Sequence, residues 1–230
     1  MCVGCVAASR RGFLSIAAAG AVGLLARPAS AATSLSAEAA LARLKQGNQR
    51  FVASPQLCAD DMQKQRADVA RGQSPFATIL TCSDSRVVPE LIFGGVALGD
   101  LFVARNAGNM ADVATMGSIE YGAEHLGSPL VVVLGHSSCG AVAAACEAVL
   151  KRTRLPGSMG PMVEAIVPAA RAVRGKPGDF VDNAVRESAR RTAHRIATDS
   201  PVIRHLEHDG KVRVVYAHYD LESGVVEFLG

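Results

Sequence analysis

Aromatic residues are scarce in this 230-residue chain: they make up 4% of it, and there is no Trp. The core must therefore be built from Val, Leu, Ile and Ala, and a hydrophobic content of 49% is ordinary for a globular domain. Charge of one sign is lacking too. The formal net charge is +3, but Arg10, Arg11 and Arg27 lie in the first 31 residues, which hold no Asp or Glu. Without them, 24 − 3 = 21 basic residues face 21 acidic ones. Nothing in that balance argues for nucleic acid or an anionic membrane surface as a partner. Beyond those 31 residues no apolar run reaches the roughly 20 residues a bilayer requires, so no membrane span is expected in the mature chain. There is no internal repeat, and no low-complexity linker follows residue 34.

The first 31 residues read as an export signal. Ser9-Arg10-Arg11-Gly12-Phe13-Leu14 resembles a twin-arginine motif. An uncharged, Ala- and Gly-rich stretch from Gly12 to Ala26 follows, then Ala29-Ser30-Ala31, a small-x-small cleavage pattern. The expected layout is a twin-arginine-type signal over 1–31 and a single catalytic α/β domain over 32–230 with an N-terminal helical arm. The location that goes with it is periplasmic or otherwise exported. Cys2 and Cys5 would leave with the signal.

That leaves Cys58, Cys82, Cys139 and Cys146. Four cysteines in an exported domain allow two disulfides in any of three pairings. A domain of this size does not need disulfides to fold, and bound metal would protect thiolates in an oxidising compartment. The C-x-x-C of a redox protein is absent after the signal. So is the H-x-E and P-C-x-x-C pair of the zinc deaminases.

Two short motifs carry the chemistry: Cys82-Ser83-Asp84-Ser85-Arg86 and His136-Ser137-Ser138-Cys139. Two thiolates and one imidazole suit tetrahedral zinc with a fourth position open, which separates a catalytic zinc from a structural one. Asp84, when ionised, can only accept hydrogen bonds. Arg86 can hold it with a bidentate, charge-assisted contact, keeping it off the metal. Cys146, two helical turns beyond Cys139, is expected to be a buried small hydrophobe. His125 shares a helix face with Tyr121 and is a candidate proton shuttle weighed against a plain solvated histidine. Arg105, Asn106 and Asn109 are expected to fix loop structure. His194, His205, His208 and His218 have no partner pattern and read as surface or strand residues.

Apolar periodicity predicts helices over 34–53, 59–71, 115–126, 139–151, 162–173 and 180–198. Strands are predicted over 76–81, 101–104, 129–134, 211–218 and 225–228. This pattern is α/β with a mainly parallel sheet of four or five strands flanked by helices. Cys82 and His136 both fall at the carboxyl ends of strands, where open α/β sheets form their sites. Cys139 falls in the first turn of its helix, where the helix dipole favours a thiolate.

At these residues the chain resembles a β-class carbonic anhydrase. The resemblance runs from about Gln73 to Ala145. It also takes in Phe102-Val103-Ala104-Arg105-Asn106-Ala107-Gly108-Asn109 and Ser118-Ile119-Glu120-Tyr121-Gly122. It implies zinc, one ion per chain, on Cys82, His136 and Cys139, with Asp84 and Arg86 as a catalytic dyad. It also implies Gln73, Phe102 and Tyr121 at the substrate pocket. The reaction implied is reversible hydration of carbon dioxide to bicarbonate and a proton by attack of zinc-bound hydroxide. Non-catalytic zinc or bicarbonate binding, and hydrolysis of a linear substrate such as carbon disulfide, are the alternatives. One subgroup of the family has a regulatory bicarbonate site with a Trp three positions before the first cysteine. That position is Ile79 here, so the chain resembles the subgroup without it. The resemblance further implies a homodimer or dimer of dimers, with partner residues lining the pocket.

Overall fold

Every position of the strands β1 (Ala77–Cys82) and β3 (Leu130–His136) is buried. Continuous burial requires cover on both faces, the condition of a parallel strand inside an α/β sheet. The computed structural model, which describes residues 33–54, 69–70 and 72–230, meets that condition. The residues it describes belong to one compact unit, Ala32–Gly230. The signal reading, Cys2, Cys5 and Cys58 lie outside the described residues, as does the helix expected over 59–71 but for residues 69 and 70.

The sheet has five strands in the order β2-β1-β3-β4-β5. Besides β1 and β3 they are β2 (Leu101–Asn106), β4 (Arg213–Tyr219) and β5 (Val226–Phe228). The first four are parallel, and β5 runs antiparallel to β4. The α/β class and the mainly parallel sheet are as the sequence predicts.

Among the described residues the helices are α1 (Ala37–Ala53), α2 (Pro89–Ile92), α3 (Val113–Glu120), α4 (Gly140–Lys151), α5 (Met159–Val173), α6 (Phe180–Asp199) and α7 (Pro201–His208). Ser36 caps α1 by accepting from the Ala39 N–H at 3.2 Å. Side chains alternate across the sheet. On one face Ile79, Val132, Leu134 and Val215 pack with Leu44 of α1 and Phe93 after α2. On the other, Leu80, Val131 and Val133 meet Ile119, Ala189, Ile196 and Ile203. Each such fully buried side chain contributes about 1.5–3 kcal/mol. Contact on the first face is close: a Cβ on Gly47 of α1 would sit 1.9 Å from the Phe93 carbonyl oxygen.

Three elements depart from the expected pattern. The short α2 is too brief to show a helical period. The segment 115–126 is not one α-helix, because α3 passes into a π turn over Tyr121–His125. The stretch after 198 breaks and restarts as α7, where Ser200 accepts from the Ile203 N–H at 3.0 Å and Pro201 opens the helix.

The strand order positions the site. From β1 the chain crosses to β2 on one side and later to β3 on the other. The carboxyl ends of β1 and β3 therefore flank a topological switch point, where open α/β sheets leave a crevice. Cys82 ends β1 and His136 ends β3.

Candidate metal centre

The crevice is held open and in register by backbone groups. Thr81, one residue before Cys82, donates its hydroxyl to the Leu134 carbonyl at 3.0 Å, pinning β1 to β3. Arg105 at the end of β2 donates to the carbonyls of Cys82 (Nε, 3.0 Å) and Asp84 (Nη2, 2.7 Å). It fixes the loop between them, as the sequence predicts. Asn106 does the same for its own loop, donating to the Met110 carbonyl at 2.7 Å and accepting from the Met110 N–H at 2.7 Å.

Cys82 Sγ lies 4.0 Å from Cys139 Sγ. Both thiols and His136 are buried, and one ligand atom from each lies within 4.8 Å of the others. Two thiolates bound tetrahedrally at about 2.3 Å would stand about 3.8 Å apart, so the sulfur separation fits a shared cation. The histidine fits as well. Its Nδ1 faces the Ser137 carbonyl at 2.9 Å, which places the ring proton there. Its Nε2 is fully buried with no hydrogen-bond partner. A buried, unpaired ring nitrogen within 4.8 Å of two thiols is the state a metal ligand takes. Cys139 is the N-cap residue of α4 and not part of its first turn. This corrects the predicted position by one residue and keeps the sulfur at the positive end of the helix. Ser138, between the two ligands, has φ 55°. That left-handed backbone conformation costs a non-glycine residue of order 1–3 kcal/mol and concentrates at functional sites.

The charges of the thiol pair follow from this packing. The Cys139 thiol beside it draws the pKa of Cys82 down, helped by His136 and by the Gly108 N–H at 3.5 Å. Cys139 is pushed up by that neighbouring thiolate and by burial. A cation between the sulfurs would relieve that repulsion and favour thiolates at both. Among the described residues Cys82, Cys139 and Cys146 are free, with no disulfide. Cys146 is buried and its thiol is pushed up to about 11 by desolvation. It stands outside the cluster, as the small hydrophobe expected.

Asp84 is turned toward Arg86. The guanidinium donates through Nε to Oδ1 at 2.9 Å and through Nη2 to Oδ2 at 2.7 Å, and the Arg86 N–H adds a third bond at 3.0 Å. These bonds hold the Asp84 carboxyl well below the usual carboxylate range. Its Oδ2 remains 3.9 Å from His136 Nε2, so the carboxylate borders the donor cluster without joining it.

The other three pocket candidates are elsewhere. Phe102 pairs with Thr78 near the opposite end of β1, four residues from the Cys82–Asn106 pair. At roughly 3.3 Å per residue that is about 13 Å of strand. Tyr121, largely exposed, stacks beside Phe102 with ring centroids 5.9 Å apart, and His125 lies 4.7 Å beyond it. Gly122 is required here, because a Cβ would stand 2.6 Å from Thr78 Oγ1. Gln73 precedes β1 altogether. Within one chain, Gln73, Phe102, Tyr121 and His125 therefore lie away from the thiols, and His125 has no contact with them.

Sequence reasoning also missed a cluster. His218, only 4% exposed, has Nε2 2.6 Å from Asp182 Oδ1 and Nδ1 3.3 Å from Arg186 Nη2. Asp182 and Arg186 are spaced i, i+4 on α6, a helical signal that could have been read. Its pairing with His218 could not.

An open, mainly parallel sheet with an imidazole and two thiols converging at its switch point defines an α/β protein with a candidate metal centre in the crevice. Comparison with known proteins makes this specific. Residues 77–226 match the family model described as carbonic anhydrase. The chain is 39% identical over 186 residues to carbonic anhydrase 2 of Mycobacterium tuberculosis, covering 81% of this chain and 89% of that one. It is 37% identical over 189 residues to a carbonic anhydrase of Mycolicibacterium smegmatis, covering 82% and 91%. Among solved structures it is similar to a tetrameric beta-carbonic anhydrase of Sordaria macrospora (TM-score 0.65, 26% identity, 73% and 88% covered). It is also similar to the Coccomyxa beta-carbonic anhydrase in complex with acetazolamide (TM-score 0.62, 26% identity, 82% and 86% covered). The chain belongs to the carbonic anhydrase family and is an enzyme of its β class.

Proposed function

We propose that this chain catalyses the reversible hydration of carbon dioxide to bicarbonate and a proton, with one zinc ion per chain on Cys82, His136 and Cys139. The observation that carries the reading is the convergence of three buried donor atoms within 4.8 Å beside an arginine-held carboxylate. When bound, zinc would supply Lewis acidity that makes water a nucleophile near neutral pH, as in the three-histidine carbonic anhydrases that define the effect.

The chain's own residues do the rest. Asp84, kept ionised by Arg86, accepts the hydrogen of the attacking water and so turns that oxygen's lone pair toward carbon dioxide. Arg86 holds both carboxylate oxygens, so that Asp84 borders the donor cluster without joining it. Gln73 would donate to a bicarbonate oxygen, with Phe102 and Tyr121 lining the apolar side. Because these three sit far from the thiols of their own chain, we place them in the site of a second copy, in a homodimer or dimer of dimers. The similarity to a tetrameric relative supports that arrangement. Residues 1–31 are proposed as a twin-arginine-type export signal, which makes the mature enzyme periplasmic or otherwise exported. Among the described residues no helix is long and apolar enough to cross a membrane.

Stopped-flow carbon dioxide hydration, with zinc analysis on the same samples, tests this reading. Wild-type protein is expected to hold one zinc per chain and to be active. Asp84→Asn and Arg86→Ala are each expected to lose about 10²-fold or more, the range of a positioned proton acceptor, with zinc retained. Zinc-loaded wild type with no hydration activity would refute the proposal. Equal loss of zinc and activity in both variants would reduce the dyad to a structural role.

A further inference from the structure

Ser137 directly follows the histidine, and all three of its polar groups are committed. Its carbonyl faces His136 Nδ1 at 2.9 Å. Its N–H donates to the Tyr219 carbonyl at 2.9 Å, and its hydroxyl oxygen accepts from the Leu221 N–H at 2.9 Å. The last two bonds reach the end of β4 and the turn between β4 and β5. That turn is stiffened from within, because Asp220 accepts from the Ser223 N–H at 2.8 Å through its carboxylate and from the Gly224 N–H at 2.9 Å through its carbonyl.

The turn is in turn held from outside by one side chain. Asn48, in the middle of α1 and 5% exposed, donates Nδ2 to the Gly224 carbonyl at 2.8 Å and accepts at Oδ1 from the Val226 N–H at 2.8 Å. The same Nδ2 donates to the Ile92 carbonyl at 3.1 Å, on the segment that leads away from Asp84 and Arg86. A buried amide that satisfies three backbone groups on two segments is costly to remove, because each orphaned group loses about 1–3 kcal/mol. The hydrogen-bond path runs without a gap from α1, through the β4–β5 turn and Ser137, to the imidazole.

We propose that Ser137 is a positioning residue for the metal centre, splinting the His136 ring to the β4–β5 turn, and that Asn48 of α1 holds that turn in place. The inference rests on the reading of Cys82, His136 and Cys139 as zinc ligands. Partners that orient a ligand from behind set metal affinity as well as rate. The consequence is that α1, remote from the chemistry, governs how firmly the metal is held.

The test uses the zinc-loaded protein and follows zinc release into excess chromophoric chelator, with visible absorption of the cobalt-substituted protein as a second readout. Ser137→Ala is expected to speed release roughly tenfold, the lower end of the effect of such partners, and to shift the cobalt bands. Ser137→Thr, which keeps the hydroxyl, is expected to restore both. Asn48→Ala is expected to speed release, with the double variant Asn48→Ala, Ser137→Ala less than additive because both act through one path. The control is Ser128→Ala at the far end of the sheet, where a buried hydroxyl bonds the Leu130 carbonyl at 3.3 Å. It is expected to lower the melting temperature and leave release unchanged. Unchanged release in Ser137→Ala, acceleration that threonine does not reverse, or equal acceleration in Ser128→Ala would overturn the proposal. If Asn48→Ala does not fold, the serine, alanine and threonine comparison decides alone. Wild type that takes up no zinc sinks the metal-centre reading itself, whereas normal uptake with unchanged release in Ser137→Ala sinks only the splint.

Discussion

Individual side chains differ in how far their neighbours in sequence announce them. Cys82, His136, Cys139, Asp84 and Arg86 are legible because donor chemistry and short spacing coincide in two motifs. Ser137 and Asn48 are not, because each works through backbone groups that only the folded chain brings near. His218 is the same case, and it carries a pH dependence. Asp182 and Arg186 from α6, Glu227 paired opposite on β5, and Asp220 in the adjoining turn face it or surround it. Burial outweighs the carboxylates and lowers its pKa from the ordinary 6.5. The neutral ring is then the folded form. As pH falls through 6.5 the unfolded chain takes up a proton before the folded chain does, so stability must decrease. Above that pH it contributes no slope. Chemical denaturation at a series of pH values is expected to show declining stability below pH 6.5. His218→Gln is expected to flatten that decline, and an unaltered slope in the variant would assign it to other groups.

Elements were legible where one kind of burial runs through them. β1 and β3 are buried along their whole length and mostly apolar because both faces are covered, and the amphipathic α1, α5 and α6 show one stripe each. The short α2 escaped because four residues complete barely one turn. The π turn at Tyr121–His125 escaped because apolar periodicity does not distinguish it from the α-helix it continues; its Gly122 lies close against Thr78, a contact no pattern shows. α1 is more than an arm: its Gly47 lies flush against Phe93, leaving no room for a methyl group. Gly47→Ala is therefore expected to destabilise the fold by about 1–3 kcal/mol, the cost of overpacking, despite alanine's better helix propensity. A thermal melt of the variant checks this, and a neutral or raised melting temperature would mean that α1 docks loosely.

Across the whole molecule, the family resemblance implied Gln73, Phe102 and Tyr121 in one pocket with the thiols, and a single chain keeps them toward the opposite end of β1 and β2. Spacing carries no information on contacts between copies. Sharing of sites can be tested by mixing subunits. In a mixed dimer of Asp84→Asn with Gln73→Ala, one site would receive both lesions and the other neither. Activity is then expected to reappear in the mixture, although each variant alone is impaired. No recovery, in a mixture shown to exchange subunits, would confine each site to its own chain.

The central claim is that two sulfurs and one imidazole nitrogen hold the metal and leave a position for solvent. Zinc X-ray absorption on the zinc-loaded protein tests it most directly. The account predicts two sulfurs at about 2.3 Å, one imidazole nitrogen at about 2.0–2.1 Å and one further light atom from solvent. A shell of three or four sulfurs, or a single sulfur, would contradict it.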